Sequence, residues 1–249
     1  MLRIIGGELK RRRLHTPPDA ETTRPMPDRV RLSLFNLLRG HFEGVEVFDG
    51  FAGTGAIGFE ALSRGASGVV FVERERKIAA LIERSAEELG VADRCEIAAS
   101  DALGAGALAR CPEGVHLVFF DPPYPLVQDP AQWPRVREQF SRLIGKLDET
   151  GYAVLRTPWP FLHVEGGGEA EEATPEHRPD RCKGRSRGHR RGREPVVEVE
   201  VVDLETPAVK PKMLPVDLAI PGALGPETHE YGSMAVHLYM KDAGGSSAV

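Results

Sequence analysis

Val45-Glu46-Val47-Phe48-Asp49-Gly50-Phe51-Ala52-Gly53-Thr54-Gly55-Ala56-Ile57-Gly58-Phe59-Glu60-Ala61-Leu62 is the stretch that decides the fold. A short alternating strand runs into a glycine-rich turn and then into a helix of good formers, which is the first β-α unit of a doubly wound sheet. Gly53, Gly55 and Gly58 satisfy the G-x-G-x-x-G spacing. Glycines there let the backbone come close to a ligand at angles that a side chain would forbid. Beyond the helix, Gly68-Val69-Val70-Phe71-Val72 reads as a second strand ending at Glu73, twenty positions past Gly53, where an acid can accept hydrogen bonds from both ribose hydroxyls. On spacing alone this unit fits a nicotinamide dinucleotide as well as S-adenosylmethionine. A P-loop is excluded, because no Gly-Lys-Ser/Thr follows. Asp49 tilts the balance: a carboxylate at the tip of the first strand repels a pyrophosphate but receives the ammonium of a methionine moiety. Its plain alternative is a turn-forming Asx.

Downstream, residues 77 to 89 carry apolar side chains at helical spacing, and residues 94 to 99 form a third strand that ends near Asp101. The Asp101 carboxylate either meets the exocyclic amine of an adenine or caps a helix over residues 102 to 110. The apolar run from Val115 to Phe120 then reads as a strand buried on both faces, and it stops at Asp121-Pro122-Pro123-Tyr124. Pro122 biases Asp121 away from helical angles, while the two prolines fix their own φ and offer carbonyls without a competing N–H. Such an acceptor array beside a flat ring suits methylation of an amine conjugated to a nucleobase. If Asp121 and the Pro122 carbonyl accept the two amine hydrogens, the nitrogen can rehybridise and aim its lone pair at a donor methyl. Tyr124 would stack on the extruded base. A Pro-rich turn closing a buried strand is the plain alternative. Asp49 and Asp121, both at carboxyl ends of parallel strands, are expected to face one crevice.

The chain of 249 residues, 41% hydrophobic, is long enough for one large α/β domain with a small appendage. No apolar run approaches the roughly 20 residues of a membrane span, and the N-terminus carries no signal-peptide core. Cys95, Cys111 and Cys182 form neither a C-x-x-C pair nor an even framework, which argues for a reducing cytoplasm and against structural zinc. The net charge is -5, yet between Arg3 and Arg39 nine basic residues face four acidic ones. Leu2 to Lys10 reads as a small hairpin turning at Gly6-Gly7, with Lys10, Arg11, Arg12 and Arg13 leading out of it as a phosphate-gripping surface. Thr22 to Pro27 is an extended connector, and Asp28 is the expected N-cap of a helix over residues 29 to 39, whose Val30, Leu34, Leu37 and Leu38 face the core.

Thr23-Arg24-Pro25-Met26-Pro27-Asp28-Arg29-Val30-Arg31, Leu34-Phe35-Asn36-Leu37-Leu38, Phe51-Ala52-Gly53-Thr54-Gly55-Ala56-Ile57-Gly58, Glu60-Ala61-Leu62-Ser63-Arg64-Gly65-Ala66 and Asp121-Pro122-Pro123-Tyr124 together resemble the RsmD family. Arg3-Ile4-Ile5-Gly6-Gly7, Tyr231-Gly232-Ser233 and Val236-His237-Leu238-Tyr239 resemble it as well. These are S-adenosylmethionine-dependent guanine-N2 methyltransferases of bacterial 16S ribosomal RNA. The resemblance runs from residue 1 to about 157 and resumes weakly from about 196. It implies a Rossmann-like class I methyltransferase: a seven-stranded, mostly parallel sheet with an antiparallel last strand, in a domain over residues 41–249, with a basic hairpin and helix over residues 1–40 packed on it. It implies further that Asp121, Pro122, Pro123 and Tyr124 hold the base, Glu73 the ribose, and Asp49, Phe51, Gly53 and Gly55 the methionine end of the cofactor. Asp101 and Ala102 fall at the adenine, and Thr23 and Arg24 near the methionine carboxylate. Lys10 to Arg13 and Arg29 are the expected RNA contacts. The partner implied is 16S ribosomal RNA within the small ribosomal subunit, met by a cytoplasmic monomer without metal or membrane.

Three positions depart from the family pattern: Gly50 replaces a leucine, Ser85 an asparagine, and Arg156 an acid. Arg156 follows the strand Tyr152-Ala153-Val154-Leu155 and has no assigned role at this level. A larger departure is an insertion over about residues 161–195, basic in its second half and nearly free of apolar residues, hence not expected to fold alone and read as a mobile RNA-gripping arm or a decorative loop. His177, Cys182 and His189 within it are spaced too loosely for a metal set. Residues 196 to 204 are expected to pair as an edge strand with residues 234 to 240, joined by a long proline-rich connection. The motifs leave open a DNA adenine or cytosine amino methyltransferase, a dinucleotide-dependent oxidoreductase, and an RNA-binding assembly factor without turnover.

Overall fold

Val47 and Phe48, neighbours in sequence, enter two different apolar clusters, and that alternation organises the whole molecule. The computed structural model describes residues 2–18, 26–165 and 212–244. Helix α1 (Asp28–Leu37) precedes β1 (Glu46–Gly50), α2 (Ala56–Ser63), β2 (Gly68–Glu73), α3 (Arg76–Leu89) and β3 (Cys95–Ala99). Then come α4 (Ala105–Arg110), β4 (Val115–Phe120), α5 (Tyr124–Gln128), α6 (Trp133–Gly145) and the long β5 (Leu147–Pro158). The short β6 (Leu162–Val164) and β7 (Met213–Pro215) pair with each other, and β8 (Ala223–Tyr231) and β9 (Met234–Lys241) close the chain.

Seven strands form one sheet in the order β3-β2-β1-β4-β5-β9-β8, parallel except for β9, which runs antiparallel to both neighbours. One face carries Val47, Phe71, Leu117 and Phe119 against Leu34 and Phe35 of α1, Phe59 of α2 and Ile82 of α3. The other carries Phe48, Val72, Val118 and Phe120 against Ala107 of α4 and Phe140 of α6. The chain therefore winds from β1 to β3 on one side and returns to β4 on the other. The winding reverses between β1 and β4, where doubly wound sheets open their crevice.

Several boundaries differ from expectation. In the N-terminal hairpin the returning arm is residues 11 to 14, not 8 to 10: Ile4 N–H donates to the Arg12 carbonyl at 3.0 Å, and Arg3 bridges Arg13. Residues 6 to 9 are drawn instead onto α2, where Glu8 N–H donates to the Ser63 carbonyl (2.8 Å) and Leu9 N–H to Ser63 Oγ (2.9 Å). The two Glu60 carboxylate oxygens receive the Ile5 and Gly6 N–H groups at 2.7 and 2.8 Å. Pro27 occupies the N-cap position of α1 without a side-chain cap, Asp28 lies inside the first turn paired to Arg31, and Leu37 turns outward. The partner of residues 234 to 240 is the adjacent β8 on one edge and β5 on the other. Both edges of β9 are thus occupied, and residues 196 to 204, its expected partner, lie outside the described residues. The insertion begins later than its composition suggests, because Phe161 is buried in the core and residues 162 to 164 are β6. Residues 166–195, with His177, Cys182 and His189, lie outside the described ones, as do Thr23 and Arg24.

Candidate active site

The two acids singled out above stand at neighbouring strand ends. Gly50 of β1 registers with Phe120 of β4, and the next residue, Asp121, donates its N–H to the Gly50 carbonyl at 3.3 Å. Asp49 lies one residue inside β1 and is fully buried, with Oδ2 accepting the Gly58 N–H from the first turns of α2 at 3.0 Å. Burial pushes its carboxyl up to about 8, and the negative charges of Asp121 and Glu73 add to the shift while the Gly58 bond opposes it. A buried acid facing two other acids is a site short of a cation.

The turn between β1 and α2 is wound tightly enough to need left-handed backbone at three positions: Phe51 (φ 63°), Gly53 (55°) and Gly55 (76°). A non-glycine residue there is strained, and Phe51 is held by packing its ring edge on Phe120, centroids 5.0 Å apart. Gly53 faces open space where a side chain would begin. Its N–H donates to Glu73 Oε2 at 2.9 Å, and Glu73 Oε1 accepts the Glu75 N–H at 2.8 Å. The carboxylate of Glu73 is thus oriented across the mouth of the turn. Gly50 is set by its neighbours, because a Cβ there would meet the Phe120 ring at 2.9 Å.

Asp101 is exposed and makes a local Asx turn, Oδ1 accepting the Leu103 N–H at 3.0 Å. It does not cap the following helix, which starts later than expected, at Ala105 behind Gly104. Ala102 is buried, its carbonyl taking a hydrogen bond from Gln139. Pro122 and Pro123 carry the chain from β4 into α5, whose first residue is Tyr124. The Tyr124 hydroxyl is buried without a hydrogen-bond partner among the described residues.

Sequence reasoning left one residue of the site unassigned. Arg156, inside β5 rather than beyond its end, donates Nε–H to Asp121 Oδ1 at 2.6 Å, and its guanidinium carbon sits 5.3 Å from the centre of the Tyr124 ring. Phe120 registers with Leu155 across parallel β4 and β5, so Asp121 and Arg156, each the residue after its apolar run, stand side by side; the runs mark the two positions, and the fold supplies the register that joins them. Burial pushes Asp121 above the ordinary carboxylate range, and Arg156 acts in the opposite direction.

Of the expected RNA contacts, Lys10 to Arg13 are not gathered at this crevice. Lys10 to Arg13 and Arg29 are exposed, but Lys10 to Arg13 sit where Ser63 and Glu88 end α2 and α3, with Arg12 Nη2 donating to the Glu88 carbonyl at 2.6 Å. Helices in such units run back against the strands, so this surface lies toward the opposite rim of the sheet, roughly 12 Å away for an eight-residue helix. Among the described residues, no cluster of three or more metal-binding side chains occurs, and no helix is long and apolar enough to cross a membrane.

A family model described as conserved hypothetical protein 95 matches residues 2–141. The ribosomal RNA small subunit methyltransferase D of Escherichia coli K12 is 37% identical over 123 residues, 49% of this chain and 60% of that protein. Its Haemophilus influenzae counterpart is 35% identical over 128 residues, covering 49% and 64%. The matched stretch therefore spans less than two thirds of those relatives. In fold, the yhhF protein of Escherichia coli superposes with a TM-score of 0.62 at 22% identity, covering 97% of this chain and 98% of that one. A hypothetical protein of Thermus thermophilus gives 0.58 at 22%, covering 97% and 100%.

Proposed function

The chain belongs to the family described as conserved hypothetical protein 95, the RsmD family, and from that premise we propose that it is an S-adenosylmethionine-dependent methyltransferase acting on the N2 amine of a guanine in 16S ribosomal RNA of the small ribosomal subunit. The residues present suit that cofactor. Three acids, Asp49, Glu73 and Asp121, surround the glycine turn, and the charges acting on Asp49 are negative. Such a field favours a donor with an ammonium and a sulfonium and disfavours a pyrophosphate, which argues against the dinucleotide reading.

When bound, the cofactor supplies an electrophilic methyl group on a positively charged sulfur. Asp49 receives the ammonium, Phe51, Gly53 and Gly55 line the methionine end, and Glu73 takes the ribose hydroxyls. Asp101 and Ala102 border the adenine, while Thr23 and Arg24 belong to the segment assigned to the methionine carboxylate. Asp121 and the Pro122 carbonyl accept the two N2 hydrogens, which localises the nitrogen lone pair toward the methyl. Pro123 keeps the turn stiff, and Tyr124 carries the flipped base. Asp121, whose burial raises its proton affinity, takes the proton that the amine sheds after transfer. Lys10, Arg11, Arg12, Arg13 and Arg29 hold phosphates of the same RNA.

The observation that carries this reading is the direct pairing of β1 with β4, which sets the tips bearing Asp49 and Asp121 side by side at the point where the winding reverses. Labelled S-adenosylmethionine incubated with unmodified small subunits, followed by mass spectrometric mapping, is expected to find one N2-methylguanine. Asp121→Ala should lower methyl transfer at least a hundredfold and leave S-adenosylhomocysteine affinity within about twofold. A variant as active as its parent would mean that the amine is handled elsewhere, and label in DNA would replace the substrate.

A further inference from the structure

We propose that Arg156 is a specificity-determining residue that, with Asp121, presents an acceptor–acceptor–donor edge to the pairing face of the target base and so selects guanine. This deepens the guanine-N2 reading and rests on it. The starting observation is geometric: Arg156 binds Asp121 through Nε, at 2.6 Å, and not through the end of its fork. Among the described residues, its two Nη nitrogens have no hydrogen-bond partner. Their guanidinium is nevertheless held in place, by the carboxylate on one side and by the Tyr124 ring 5.3 Å away. It is largely shielded from solvent, with 11% of the side chain exposed against 17% for Asp121. An arginine with a fixed plane, little water and unspent donors is equipped to read an acceptor.

Guanine offers, in order along its pairing edge, the N2 amine, the N1–H and the O6 acceptor. Asp121 offers two carboxylate oxygens, and the Arg156 fork follows them with N–H groups. The set reproduces the hydrogen-bonding order of cytosine's pairing edge, with the Pro122 carbonyl left for the second N2 hydrogen. Adenine would bring its N6 donor against the Arg156 donors or its bare N1 against the carboxylate, and either mismatch leaves buried polar groups unpaired. Cytosine and uracil do not offer donor, donor and acceptor in that sequence. An Asp-Pro-Pro-Tyr array by itself senses an amine on any ring. Arg156 adds the group that senses what lies two positions further along the edge.

The test is a cycle between protein and base. Once the methylated guanine is mapped, small subunits are reconstituted with 2-aminopurine at that position, which keeps the 2-amino group but lacks O6 and the N1–H. In the unaltered protein, kcat/KM is expected to fall on 2-aminopurine by about ten- to a hundredfold more than it does in Arg156→Met, because only the unaltered protein has an O6 contact to lose. Arg156→Gln, which keeps an N–H donor without the charge, is expected to fall between them and serves if the methionine variant does not bind S-adenosylhomocysteine normally. A 2-aminopurine penalty in Arg156→Met equal to or larger than in the unaltered protein would overturn the assignment and reduce Arg156 to a counter-ion of Asp121, since losing the counter-ion alone only strengthens the Asp121 acceptor for the N1–H that 2-aminopurine lacks. A product mapped to an atom other than guanine N2 would overturn this assignment together with the reading beneath it, whereas an N2 product with such a penalty overturns this one alone.

Discussion

Asp49 has the proton balance of a group waiting for a positive ligand. Folded, it holds its proton up to about pH 8, while unfolded it releases it near 3.9. Between those values the native state binds the extra proton, so the Asp49 contribution to stability declines as pH rises from about 4 to 8. Asp49→Asn is therefore expected to raise the melting temperature at pH 7.5 by several degrees and to weaken cofactor binding. In the parent protein, binding of S-adenosylmethionine near pH 7 should release close to one proton, read by calorimetry in buffers of different ionisation enthalpy. No proton release would remove the ammonium role. His237 behaves oppositely. It is fully buried, and Thr157 Oγ1 donates to the Pro158 carbonyl, so it accepts from His237 Nε2 and leaves Nδ1 to accept from Thr228. Burial lowers its pKa to about 4, against about 6.5 unfolded, so stability present above pH 6.5 is lost as pH falls toward 4, by about 3 kcal/mol. His237→Gln should flatten that acid limb in denaturant titrations.

Among the elements, α2 does two jobs from one turn. Gly58 gives its N–H to Asp49 while its bare Cα lets the helix lie on β2, where a Cβ would come within 2.2 Å of the Phe71 ring. Gly58→Ala is expected to cost about 1–3 kcal/mol through overpacking. Two residues on, fully buried Glu60 ties two hairpin amides and Arg64 together. Glu60→Ala should free the hairpin, read as faster trypsin cleavage at Lys10 to Arg13 with the sheet still cooperative. An unchanged cleavage rate would mean that Ser63 and the apolar contacts of Leu2 and Ile4 hold it alone. The sequence made the glycine turn and the strands legible because period and turn chemistry are local. It did not disclose the hairpin register, since Glu8 and Leu9 are drawn out of the ladder by Ser63, more than fifty residues away. Nor did it disclose the partner of β9: alternation marks a strand without naming its neighbour.

At the scale of the whole molecule, the crevice and the cationic hairpin occupy opposite rims, so catalysis and RNA grip should separate under mutation. Replacing Lys10, Arg11 and Arg13 by Glu is expected to raise KM for small subunits and reduce the slope of log affinity against log salt by about 2–3, with kcat at saturation unchanged. An unaltered salt slope would place the grip elsewhere. The crevice itself could be anticipated because reversal of winding follows from strand order, and strand order followed from the β-α alternation. The pairing of Arg156 with Asp121 needed the β4–β5 register, which only the fold supplies.

The hairpin is fastened to α2 chiefly by its own main-chain amides, through Glu60 and Ser63. A clasp of that kind, with Leu2, Ile4 and Leu14 buried behind it, makes little demand on the arm's exposed side chains. Its cations can be rewritten, swapped or thinned to follow a different contour of nucleic acid while the clasp stays shut, which makes the segment a natural site for grafting new substrate preferences onto an unchanged catalytic body.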